Sequence, residues 1–175
     1  MSPPKALAPS TAALRLARRS WQLLYSDSQG CIAAAESAFE RAVQRDDVAA
    51  QGWARLTRGF HLIWYGTPQE AMADLAEAQR CFAAVPDRAG QLLADVGLAR
   101  CGWREGAFRA ALQRVLPLRD EGLRILKHDE RGMLLATIAA ATSWVVFAVL
   151  GLPSPLALAL WLGLVSQFLP VVGTY

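Results

Sequence analysis

WARLTRGFHLIWYGTPQEAMADLAEAQRCF, residues 53–82, decides the fold. On either side of Gly66-Thr67-Pro68, apolar residues return at three- and four-residue steps, the period of an amphipathic helix. The three residues between supply a flexible glycine, a capping hydroxyl and a proline suited to a helix start. The same punctuation recurs at Asp27-Ser28-Gln29-Gly30, Asp46-Asp47 and Pro86-Asp87. It predicts helices near residues 10–25, 28–45, 47–65, 67–84, 87–103 and 105–117. No alternating strand pattern interrupts them, so the expected class is all-α.

These helices repeat. Ala35, Phe39 and Ala42 return thirty-six residues later as Ala71, Leu75 and Ala78, with the same four-then-three spacing. Small residues let helices approach, and the large one fills the gap between them. An aromatic-led helix precedes each triplet, first with Trp21 and Leu24, then with Trp53, Leu56 and Phe60. A third candidate pair, with Phe108, Leu112 and Val115, matches in hydrophobic character alone. The pattern resembles a degenerate tetratricopeptide repeat, whose period is about 34 residues. That resemblance implies antiparallel helix pairs in an α-solenoid, with a concave groove able to take a protein or peptide. Trp53, Phe60 and Trp64 are the candidate binding residues of that inner face, weighed against a core role for the same aromatics.

Residues 21–134 also resemble the helical-repeat sensory region upstream of the catalytic domain in some bacterial diguanylate cyclases. The likeness rests on residues 53–66, on residues 71–82 and on LKHDERGMLL, residues 126–135. It implies a signalling context. The cyclase's Gly-Gly-Asp/Glu-Glu-Phe loop is absent from the sequence, so its chemistry does not carry over.

A second solvent begins at Gly132. From there to Tyr175 the sequence has no Lys, Arg, Asp, Glu or His in forty-four consecutive residues, while all 18 basic and 15 acidic side chains lie earlier. Such a run exceeds the roughly 20 apolar residues that signal a membrane span. Pro153-Ser154-Pro155 divides it, which predicts a hairpin of two spans, near residues 132–152 and 156–173. Arg119, Arg124, Lys127 and Arg131 precede the first span and no charge follows it, so the positive-inside rule puts the repeat module in the cytoplasm. The expected organisation is a leader over residues 1–9, a repeat domain over 10–131 and a membrane segment over 132–175.

LGLPSPLALALWLGLVSQFLPVVGTY, residues 150–175, is similar to a segment of the autoinducer-2 exporter family of bacterial permeases. The residues that carry this are Gly151, Pro153, Pro155, Gln167, Pro170 and Gly173. The resemblance implies a bacterial inner membrane and export of a small solute. Two uncharged spans, however, offer neither a coupling-ion site nor a pore, so the segment is expected to be an incomplete transporter. Gly163, Ala157 and Ala159 permit close helix contact and hence a homo-oligomer. Two likenesses meeting near residues 134–136 leave two expectations, a truncated or chimeric reading frame and a genuine membrane-tethered interaction protein.

The remaining chemistry is bland. The net charge of +3 comes from a balanced mixture and predicts no nucleic-acid footprint. Cys31, Cys81 and Cys101 lie far apart, and the expected state is buried reduced thiols, with no metal and no other cofactor. His61, beside Phe60 and Trp64, reads as a packed or half-exposed histidine. Arg18-Arg19 and the charged run 41–47 are expected to face water, and Asp129 to cap a helix after His128. No nucleophile–base set or phosphate loop is apparent, so no enzymatic activity is expected.

Overall fold

In the computed structural model the described residues are 11–151, and they are all helical, with no strand among them. The order is α1 (Ala12–Leu23), α2 (Ser28–Gln44), α3 (Val48–Tyr65), α4 (Pro68–Ala83), α5 (Arg88–Arg104), α6 (Phe108–Val115), a 3-10 turn (Leu116–Leu118), α7 (Arg119–Ile125) and α8 (His128–Val149).

The first five helices start where the sequence places capping oxygens. Thr11, Asp27, Asp47, Thr67 and Asp87 each accept a hydrogen bond from the backbone N–H three residues on, which satisfies a donor with no partner inside the helix. At α4 the arrangement is a reciprocal capping box. The Glu70 N–H donates to the Thr67 hydroxyl at 3.2 Å, and the Thr67 N–H donates to the Glu70 carboxylate at 3.0 Å.

Each helix from α1 to α6 packs on the next, and α1 with α3, α3 with α5 and α5 with α8 also touch. One buried cluster runs through these contacts from Ala17 to Leu134. Ala35, Ala42, Ala71, Leu75 and Ala78 are fully buried. Phe39 is only partly buried, under the Arg55 guanidinium, 4.7 Å from its ring centre.

The chain between 105 and 131 departs from expectation. α6 begins at Phe108, three residues late, because Gly106 adopts φ +85°, a left-handed turn that suits glycine. It ends at Val115, where Pro117 cannot continue the ladder and the chain tightens into the 3-10 turn. α7 was not expected; it is seven residues long and no side chain caps it. α8 starts at His128 and its N-cap is Lys127, whose N–H donates to the Glu130 carboxylate at 3.0 Å, so Asp129 is not the cap.

The boundary expected between residues 131 and 132 falls inside α8, which passes through it unbroken. On the far side of it Met133, Leu134, Thr137, Ala140 and Ala141 are buried against the preceding helices. The expected second span, and with it Pro153, Pro155, Gln167, Pro170 and Gly173, lies outside the described residues. Gly151 is described, at φ +65° just beyond α8.

Candidate interaction site

The aromatics singled out in the sequence separate by burial. Trp53 is 5% exposed and Phe60 0%, whereas Trp64 is 62% exposed. Trp53 and Phe60 therefore belong to the core. Trp21 stands edge-on to Phe60 at 5.0 Å and to Trp53 at 6.0 Å, and Trp53 stands edge-on to Phe82 at 5.7 Å. Such T-shaped contacts stabilise by about 0.5–1.5 kcal/mol each beyond area burial. This ladder joins α1, α3 and α4, and it leaves neither residue a face for a partner.

Polar groups stitch the same interior. Asp87 caps α5 through one oxygen, and the other accepts from the Trp53 indole at 2.8 Å and pairs with Arg18 at 3.4 Å. Arg18 also lies 5.4 Å over the Trp53 ring, so it is not merely a solvated charge. Asp74, nearly buried on α4, pairs with Arg55 at 2.8 Å and Arg58 at 3.4 Å on α3. A buried carboxylate requires such partners.

α8 is held by a third set of contacts. The Trp21 indole donates to Glu130 at 3.2 Å, and the Tyr25 hydroxyl to the Met133 sulfur at 3.0 Å. The Arg100 guanidinium donates to the Thr137 hydroxyl at 3.0 Å and to the Met133 carbonyl at 3.4 Å. Further along, Phe108 stacks on Trp144 at 4.1 Å and 12°. Against α7 the fit is closer still: a Cβ on Gly122 would stand 2.3 Å from a Leu134 methyl, so a side chain there would require Leu134 to shift.

Beyond Ala141 the helix changes character. Val146, Val149 and Leu150 are exposed, Val149 at 81%. Among the described residues α8 is the one helix long and apolar enough to cross a membrane, by length and composition. The mean hydropathy of its best eighteen-residue window is 1.9, and 28% of that window is buried.

Other exposed apolar side chains include Val43, Leu116 and Ile125, and three aromatics where α1 and α3 end. Tyr25 is 63% exposed and Tyr65 71%, beside Trp64. His61 stacks on Tyr65 at 4.6 Å, and its Nδ1 lies 3.4 Å from the Ser28 hydroxyl. Burial pushes the His61 pKa below its ordinary value, which favours the neutral ring at neutral pH. The Ser–His pair does not make a nucleophile–base set on this geometry: 3.4 Å is a long contact, and no carboxylate is bonded to the ring among the described residues.

Cys31 and Cys101 are buried free thiols and Cys81 is half-buried. Burial raises all three pKa values, that of Cys101 to about 11, so each stays a thiol at neutral pH. Among the described residues, no three His, Cys, Asp or Glu side chains gather into a set able to hold a metal ion.

Tyr25, Tyr65, Arg100, Glu130 and Trp144 were not singled out in the sequence. Tyr65 carried a signal, because successive helix residues lie about 100° apart and Trp64 and Tyr65 cannot both enter one core face. Arg100 and Glu130 carried none, since their roles depend on which helices meet. No family model matches the chain, nor does any curated protein or solved structure.

Proposed function

We propose that the chain is a membrane-anchored helical-repeat interaction module. In this reading α1–α7 form a tetratricopeptide-like stack and α8 closes it. The charge-free residues beyond hold it to a bacterial inner membrane with the repeats in the cytoplasm. The exporter-like segment acts as an anchor and is not transport-competent alone. The observation that carries the reading is the division of α8. Its first part is buried on the repeats, and its last part presents Val146, Val149 and Leu150 to the surroundings before an uncharged continuation.

The docked part also sets where a membrane segment can start. Within residues 133–141 the Met133 carbonyl and the Thr137 hydroxyl accept from the Arg100 guanidinium, with Glu130 one turn before them. Placing that stretch at the bilayer centre would carry a charge there, at roughly 2.5–3.5 kcal/mol on insertion scales, or strip its hydrogen bonds. A span therefore begins near Thr142, about ten residues later than composition alone suggests. A protein or peptide partner remains part of this reading, but Trp53 and Phe60 cannot carry its contact.

The alternative is the repeat region of a diguanylate-cyclase-type signalling protein without its catalytic domain. It is favoured by the buried joint of Leu126, Glu130, Met133 and Leu134, which seats the start of α8 against the preceding helices. Both readings are non-enzymatic, and turnover of GTP to cyclic di-GMP by the purified chain would sink them. Flotation with phospholipid vesicles separates them. The anchored module floats after an alkaline carbonate wash and needs detergent for purification, whereas a chain that stays soluble and monomeric without detergent refutes the anchor.

A further inference from the structure

Short turns bring three corners of the fold to one edge. The start of α2 meets α3 through Ser28 and His61, and the start of α4 meets the end of α5 through Gln69 and Glu105, 3.0 Å apart. The ends of α3 and α5 are tied directly, because Arg104 donates to the Ile63 carbonyl. This edge carries Tyr25, Trp64 and Tyr65.

α8 leaves the module past the same edge. Its contacts advance in step with α1, from Trp21–Glu130 to Tyr25–Met133, and with the chain of α5 and α6, from Arg100–Thr137 to Phe108–Trp144. Ala141 is the last buried residue of α8. At about 1.5 Å per residue, the eight residues 142–149 reach about 12 Å beyond it. An apolar, uncharged stretch of chain follows.

We propose that this edge is the membrane-facing surface of the module, with Trp64 and Tyr65 seated among phospholipid headgroups where α8 enters the bilayer. The proposal rests on the anchored reading above and adds the orientation of the module to it. Trp and Tyr suit that depth because a large ring leaves water while a polar tip remains hydrated. Two neighbouring aromatics, 62% and 71% exposed, are otherwise left in water. The acidic groups of the edge do not oppose the contact strongly. Asp27 and Glu70 are turned into the caps of α2 and α4, and Glu105 accepts from Gln69. Arg109, beside Trp144 in the shallow depression between α6 and α8, adds a cation suited to anionic lipid.

The test uses the full chain in vesicles of phosphatidylcholine and phosphatidylglycerol, with phosphatidylcholine brominated either near the headgroup or deep in the acyl chain. The fluorescence of Trp64 is isolated as the difference between the wild type and Trp64→Phe, a conservative change at an exposed site. Headgroup-proximal bromine should quench that difference emission, deep bromine should not, and aqueous iodide should lose access to it on vesicle binding. If the chain floats with the vesicles but Trp64 remains open to iodide and unquenched by either lipid, the orientation is wrong and the anchor stands. A chain that does not float overturns both.

Discussion

The helices α1–α5 and α6–α8 are built by different rules. In the first group every helix has a side-chain cap, and Ala17, Trp21, Trp53, Phe60, Ala71 and Phe82 lie in one buried cluster. In the second group no side chain of the N-cap residue accepts a helix N–H: α6 follows Ala107, α7 follows Leu118, and α8 relies on Glu130 reaching back. What fixes α6–α8 is contact with distant residues such as Trp21, Tyr25 and Arg100. The first region is specified locally and the second by its docking, so damage to the first should spread while damage to the second should stay local.

The largest effect expected is from Phe60→Ala. Removing a fully buried ring that touches Trp21 should cost about 3–5 kcal/mol, read as the shift in a denaturant unfolding midpoint. A cost under about 1 kcal/mol would mean that the aromatic ladder is not the core of α1–α4. Asp87→Ala comes next. It removes a cap, the acceptor of the Trp53 indole and the partner of Arg18, and should cost about 2–3 kcal/mol, whereas Asp87→Asn should retain part of this through its remaining oxygen.

Arg100→Ala tests the second region. It should cost about 1–2 kcal/mol and act locally, speeding amide hydrogen exchange over residues 133–141 while leaving α2–α4 protected. Equal loss of protection throughout would erase the distinction between the two groups.

Acid should act on both regions. Hydrogen bonds from the Thr67 backbone and hydroxyl hold the Glu70 pKa below its usual range, and the hydrogen bond from Arg88 does the same for Glu121. Their folded pKa values lie below the unfolded ones, so their contribution is present above about pH 4.5 and is lost as pH falls through the folded values. The unfolding midpoint should therefore fall below that pH, and Glu70→Gln should flatten the fall.

The smallest change is a gain. Ala107→Asp would give α6 the cap that α1–α5 already have, and should stabilise by about 0.5–1 kcal/mol in thermal unfolding.

The same division explains what could be read in the sequence. The starts of α2–α5 were legible because each follows an Asp or Thr whose oxygen meets the backbone locally, and α4 adds Pro68 at its first position. α7 was not legible, since its seven residues carry no cap and its place depends on Gly122 admitting Leu134. The apolar run after Gly132 was read as a different solvent from its first residue, yet its early part is protein core. Composition cannot separate Met133 and Leu134, buried under Tyr25 and Gly122, from Val146 and Val149, which face outward. Trp53 and Phe60 posed the same difficulty, because an aromatic on a repeat helix looks alike whether it lines a groove or fills the space between layers.

The proposed anchor requires α8 to be docked on the preceding helices in its first part and to enter the bilayer only beyond Ala141. Nitroxide labels at Gly132→Cys, where no atom lies within 4 Å of an added Cβ, and at Val149→Cys would measure this in vesicles, with the half-buried Cys81 replaced by alanine. Collision with oxygen and with a water-soluble nickel complex reports depth at each site. The account predicts the label at 132 open to nickel and the label at 149 open to oxygen but shielded from nickel. Shielding of both would place the span where composition first suggested, and exposure of both to nickel would remove the membrane from the account altogether.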